Sequence, residues 1–441
     1  MTEPPGRAEV ERPGLAYCLL ALFLVAASYF TLYLHRSLIN YVQPPLRAEL
    51  ALSAEDFSLL SPAFYLPYAF AQIAVGYLGD RFRRRSVLLW SLLLSSVALA
   101  GIGMADSLYS LFAFRVLMAV GQSASVPAIA SVVADCFSSR ARSSAVGFYL
   151  ASYNLSLIVA GKYGGRIADS QSYDVTLGGG LAHFELSGWR MAMFAFAILG
   201  LAVAGIFLLL FREPPRTERV AGAGLGQKGA SLADTLLSVL RVRSFLALCS
   251  IFVATSVVVL AVQFWLAPHL HQKFELSNED AGILATVWIQ PATIVALLLG
   301  GALGDFAARR RISGRTTIQC VGMALAAPGV LLIGLSETRE TLIWGMLAYG
   351  VGVGLYQANL WTTTFEVIDP AARATAIGLL NVAAGAVSGA NWFIGLYYER
   401  FGDLGPVFDV LSLVMIAALS IGAINILFLL PRDYRGPLRQ A

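Results

Sequence analysis

The chain is expected to be an all-α integral membrane protein of twelve transmembrane helices in two pseudo-symmetric six-helix bundles. Composition, the spacing of apolar runs and an internal repeat predict this. Of 441 residues, 57% are hydrophobic and 13% are charged, and the mean hydropathy is +0.70. A soluble chain carries about a quarter charged residues. The aliphatic surplus excludes a solvated, unstructured chain despite 41 glycines. A membrane-crossing helix needs about 20 apolar residues, so the length holds about a dozen.

The apolar runs fall near 15–43, 54–79, 86–105, 109–136, 143–168 and 189–211, then near 244–271, 279–304, 316–335, 341–365, 374–398 and 407–430. This divides the chain into a tail (1–14), a first bundle (15–211), a polar linker (212–243), a second bundle (244–430) and a tail (431–441). The first run has span length and lacks a small-residue cleavage site, so it reads as a helix and not as a signal peptide. Of the 31 lysines and arginines, 22 fall on one side of this layout and six on the other. Arg36, Arg115 and Lys162 lie inside spans. The basic side is expected to be cytoplasmic, with both termini and the linker on it. The expected location is a bacterial inner membrane, and the expected state a monomer. The net charge of +4 is read as orientation, so no nucleic-acid partner is expected. Cys18, Cys136, Cys249 and Cys320 have no metal spacing. No metal or cofactor is expected.

The two halves repeat. Gly76, Leu78, Gly79, Asp80, Arg84 and Arg85 recur as Gly301, Leu303, Gly304, Asp305, Arg309 and Arg310, with Arg81 beside the first copy. Asp135 with Arg142, Ala145 and Gly147 recurs as Glu366 with Arg373, Ala376 and Gly378. Duplicated membrane halves point to a transporter with its site between them.

The loop Gly76 to Arg85 resembles the signature between helices two and three of the major facilitator superfamily, and the resemblance runs from about Leu15 to Leu430. Arg83 departs from it, since the family usually has glycine there. Leu34-His35-Arg36, Ala63-Phe64-Tyr65 through Gln72, Trp90-Ser91, Arg115 through Pro127 and Gly188-Trp189-Arg190 are similar to the spinster-like branch and next to the organic-anion symporter branch. The resemblance implies that Gly76, Asp80, Arg81, Arg84, Arg85, Asp135, Arg142, Asp305, Arg309, Glu366 and Arg373 form a cytoplasmic gate. Carboxylates at helix ends can pair with these arginines, making and breaking as the halves move. The alternative is that the arginines only fix topology.

Polar residues inside spans are costly unless they face the bundle interior. Tyr29, Tyr33, Arg36 and Asn40 lie on one helical face, as do Tyr65, Tyr68 and Gln72. Tyr149, Ser152 and Ser156, then Gly352, Tyr356, Asn359 and Thr363, then Asn381, Ser388 and Asn391 form further stripes. Tight packing also uses such stripes. Arg36 stands apart: a guanidinium keeps its charge and needs an anion, and no Asp or Glu lies in any span interior. A substrate carboxylate or phosphate is the natural partner, with snorkelling to the outer surface the rival. In the organic-anion branch an arginine at the matching place binds substrate. Arg115 and Lys162 can snorkel. Arg115 matches an arginine of the family's fourth helix.

The spinster-like pattern places acids where this chain has His35 and Gln122. Either His35 carries a proton, making protons a second partner, or transport runs without carboxylate coupling as uniport or exchange. His269 and His271 are expected at the surface. The outer stretch 169–188 is read as a hairpin, with a lid as the alternative. The resulting expectation is an alternating-access carrier of an organic anionic or amphiphilic solute. The spinster-like resemblance implies a lysolipid; the organic-anion one implies a small carboxylate. A non-transporting sensor is the rival, and an enzyme lacks any nucleophile–base pair or nucleotide loop.

Overall fold

The computed structural model describes residues 14–78, 83–137, 139–170, 172–177, 182–214 and 232–435. Its long helices are α1 (Leu15–Tyr41), α2 (Leu60–Leu78), α3 (Arg84–Met104), α4 (Leu108–Cys136), α5 (Ser144–Ala168), α6 (Gly188–Leu210), α7 (Arg243–Lys273), α8 (Asn278–Ala308), α9 (Gly314–Leu335), α10 (Arg339–Val367), α11 (Thr375–Phe401) and α12 (Gly405–Asp433). Among the described residues, ten of these are long and apolar enough to cross a membrane, and α2 and α10 take the second and tenth places. The outward faces carry exposed Phe70, Leu209, Leu298 and Leu413, as a lipid-facing surface requires.

The two halves pack differently inside and against each other. Within the second half, α9 and α10 meet backbone to backbone. A Cβ on Gly322 would stand 2.5 Å from the Gly352 carbonyl oxygen, and one on Gly352 would stand 2.4 Å from that of Gly322. Small residues allow this approach, which gives dispersion contact where lipid offers no hydrophobic drive. Between the halves, α5 faces α8 and α2 faces α11. α5 loosens into a π-helical turn over Ala160–Gly164, where it meets the first turns of α8.

The connections agree with the sequence reading in one place and depart from it in two. The outer stretch 169–188 is the hairpin read from sequence: antiparallel strands β1 (Ser172–Leu177) and β2 (Ala182–Ser187), with Ser172 opposite Ser187. Part of the polar stretch 212–243 is helical: Leu232–Leu240 packs on α11 and α7 and buries Val239. The second span enters through a separate short helix, Ala54–Ser58, started by a capping box in which Ser53 Oγ accepts from the Asp56 amide at 2.9 Å.

Candidate functional site

A cavity of 300 Å³ opens between the halves, lined by α1, α2, α4 and α5 on one side and α7 and α10 on the other. Arg36 forms part of its wall. Its guanidinium carbon lies 4.3 Å from the Tyr33 ring centre, 4.5 Å from Phe64, 4.7 Å from Tyr68 and 5.9 Å from Tyr65. Ring faces are negative, so they hold a cation without neutralising it. Its polar partner is Gln122 Oε1, reached from Nε at 3.3 Å and from a terminal nitrogen at 3.1 Å. Arg36 is 8% exposed and has no carboxylate partner among the described residues.

A chain of hydrogen bonds sets Gln122. Its amide nitrogen donates to Ser95 Oγ at 2.7 Å and to the Leu32 carbonyl at 3.0 Å, which turns the oxygen toward Arg36. Ser95 Oγ lies 3.0 Å from His35 Nδ1, and His35 Nε2 lies 3.0 Å from the Phe196 carbonyl. A carbonyl only accepts, so His35 Nε2 donates to it, while Nδ1 shares a hydrogen bond with Ser95 Oγ. His35 therefore stands behind Gln122, toward α3 and α6, and is not part of the cavity wall.

Arg115 is the second cation. Only 2% exposed, it donates to the Leu60 carbonyl at 3.3 Å and the Arg36 carbonyl at 3.1 Å, near the C-terminal end of a helix, where a cation is favoured. It lies 5.0 Å from the Phe64 ring and lines the same cavity, so snorkelling is excluded for it. No Asp or Glu is among the lining residues.

Of the residues read from sequence, Tyr29, Tyr33, Arg36, Asn40 and Tyr65 line the cavity. Tyr68 stacks on Arg36, and Gln72 donates to the Tyr68 hydroxyl at 3.1 Å. Ser152 and Ser388 bond to backbone carbonyls of their own helices, Tyr149 and Gly385. Asn359 donates to the Gly300 carbonyl at 3.0 Å where α8 crosses α10, and Tyr356 is buried on the same crossing helix. Neither they nor Asn381 are among the lining residues. Sequence reasoning missed Tyr153, Gln263 and Gln357, which do line it. Gln357 sits one residue, about 100° of helix, off the stripe chosen on α10. His269 is 2% exposed beside Phe408, against the surface position expected of it.

On the basic face, ion pairs between described residues each lie within one half. Arg84 pairs with Asp135, and Arg315 pairs with Glu366 and, at 2.6 Å, with Asp305. The two pairs are copies, with partners 51 residues apart in each, so in the ion pair the counterpart of Arg84 is Arg315, not the Arg309 that the loop repeat suggests. Arg85 donates to the Leu208 carbonyl at 2.6 Å and Arg373 to the Phe365 carbonyl at 3.0 Å, while Arg309 is exposed at the end of a helix. Gly76 lies in α2. Asp80, Arg81 and the Arg142 side chain fall outside the described residues.

The opposite face joins the halves. Asp169 of the first half accepts from the Asn278 and Glu279 amides at 2.9 and 2.8 Å, capping the start of α8. Glu399 of the second half accepts from the Ala54 amide at 2.7 Å, capping the helix that leads into α2. A free helix start presents unpaired N–H groups and partial positive charge, so each acid meets both needs. The signal was present in Leu52-Ser-Ala-Glu-Asp56 and Leu276-Ser-Asn-Glu-Asp280, a third internal copy. Between the clasps, Gly161 and Gly282 touch: a Cβ on Gly161 would stand 2.5 Å from the Gly282 carbonyl oxygen.

Comparison with known proteins accounts for this architecture. The family model described as Major Facilitator Superfamily matches residues 25–391. A probable sulfoacetate transporter, SauU, of Cupriavidus necator is 23% identical over 93% of this chain and 94% of its own length. The hexose-6-phosphate:phosphate antiporter of Salmonella typhimurium is 24% identical over 89% and 82%. Protein spinster of Drosophila melanogaster is 24% identical over 83% of this chain and 60% of its own length. A crystal structure of a bacterial homologue of the human lysosomal transporter Spinster, inward-facing and unoccupied, superposes with a TM-score of 0.76 at 21% identity, covering 96% of this chain and all of that one. Twelve helices in two repeated halves around a central cavity thus have their explanation: the chain belongs to the Major Facilitator Superfamily and is a membrane transporter, not an enzyme.

Proposed function

We propose that the protein carries a compact organic anion, bound at Arg36 with Arg115 alongside. The observation that carries this is a membrane-depth cavity with two guanidinium groups and no carboxylate among its lining residues. Burying unpaired cations is unfavourable, and an anionic solute offsets it. The 300 Å³ volume equals about ten waters, enough for a small phosphate, sulfonate or carboxylate. The names of the sulfoacetate and hexose-phosphate relatives support the same class.

The halves are clasped on the face opposite the basic loops. With the basic face cytoplasmic, this is the inward-facing stage of alternating access, with both termini inside an inner membrane and a monomer as the working unit. His35 has both ring nitrogens bonded within the protein behind Gln122 and off the cavity wall, which supports a positioning role over proton carriage. Transport then proceeds as anion exchange or uniport.

Binding of sulfoacetate and glucose 6-phosphate to the purified protein tests the reading. Arg36→Ala removes the buried counter-charge, which costs about 2–5 kcal/mol and thus on the order of a hundredfold in Kd. Unchanged affinity in that variant removes Arg36 from the site.

A further inference from the structure

A smaller pocket of 30 Å³ continues from the main cavity, sharing Tyr153, Val259, Gln263 and Gln357 with it. Its far wall adds Asn154 from α5 and Gln290 from α8 among apolar Val262, Leu266 and Val353, and no charged residue lines it. Asn154 is 4% exposed. Its amide nitrogen donates to the Leu150 carbonyl at 3.4 Å, and its Oδ1 is buried without a partner. Gln290 is 8% exposed. Amides at this depth cost free energy unless something bonds to them, and a leucine of similar size fills such space more cheaply.

We infer that this extension selects anions with a hydroxylated tail, and that Asn154 and Gln290 are its specificity-determining residues. The inference rests on the anion reading of Arg36 and names the class of solute that site takes. A hydroxyl donates to the bare Asn154 oxygen and accepts from a glutamine amide, so it matches the pocket in both senses. A methylene tail leaves the amides unpaired, which is the stronger route to rejection. A second charge on the tail meets no counter-ion there. The volume, near that of one water, admits a single hydroxyl group and not an acyl chain.

Two matched pairs of probes test it on the full-length protein: glucose 6-phosphate against hexyl phosphate, and gluconate against hexanoate. The wild type is expected to prefer the hydroxylated member of whichever pair it binds. Asn154→Leu and Gln290→Leu are each expected to lower that preference about three- to tenfold, the loss of one hydrogen bond. The affinity for the plain anion reports in the same sample that the variant is folded. Equal binding of the two members by the wild type, or an unchanged preference in both variants, overturns the tail inference and leaves the anion reading standing. Failure of every probe to bind the wild type overturns the anion reading, and this inference with it.

Discussion

Gln122 presents its oxygen to Arg36 where an acid would quench the cation, so the chemistry of the site turns on one atom. Gln122→Glu is expected to form an internal ion pair and weaken anion binding at least tenfold at neutral pH. Binding measured at neutral pH checks this, and an affinity equal to that of the wild type counts against the pairing. Arg36→Lys keeps the charge and loses the planar fork that lies among the tyrosines, so its affinity should fall between those of wild type and Arg36→Ala. Outside the membrane, Glu49 accepts from Trp189 at 2.6 Å and Arg190 at 2.7 Å. Burial pushes its carboxyl up, and bonds including those from Arg190 and Trp189 outweigh this and hold it below the usual range. Its stabilisation is therefore complete above the ordinary carboxylate pKa and lost as the pH falls through the depressed value. The melting-temperature gap between wild type and Glu49→Gln should narrow on acidification. Arg36 was legible from sequence because a permanent charge in an apolar run has few explanations. Tyr153, Gln263 and Gln357 were not, because a lone neutral polar residue on a long helix packs as readily as it binds.

Helix starts and helix crossings decide how the halves meet. The clasps at Asp169 and Glu399 join a side chain to backbone N–H groups, and a cap of this kind is worth about 1–2 kcal/mol. Asp169→Ala with Glu399→Ala removes the accepting oxygens and should shift the balance toward the outward-open state about 5–30-fold per clasp lost. A cysteine at cavity-lining Leu157, in a background with the four native cysteines replaced, reports this through its labelling by an impermeant thiol reagent from the outer side. No gain in labelling argues that the clasps do not set the state. Gly161→Ala places a methyl 2.5 Å from the Gly282 carbonyl oxygen, so it should raise labelling in the same direction. The span pattern and loop charges were readable because membrane helices announce themselves by length. The stripe on α10 misled because glycine, asparagine and threonine at helical spacing serve helix crossing, as Asn359 does against Gly300.

At the scale of the whole molecule, two unquenched cations must pass through the occluded midpoint of every cycle. An empty cavity makes that passage costly, and a loaded one does not. Vesicles preloaded with the bound anion should therefore take up label faster than empty ones, and a protonophore should leave that exchange unchanged. Uptake that collapses with the proton gradient returns the case to a titrating group. The twofold repeat was the most legible feature of the chain, yet its copies near Asp56 and Asp280 gain meaning only once the halves are set face to face. Each of those copies offers the same backbone amides to an acid from the other side. The contact is thus isologous in character, as in a symmetric homodimer: each half lends an acid and receives one, so the fused chain closes like a pair.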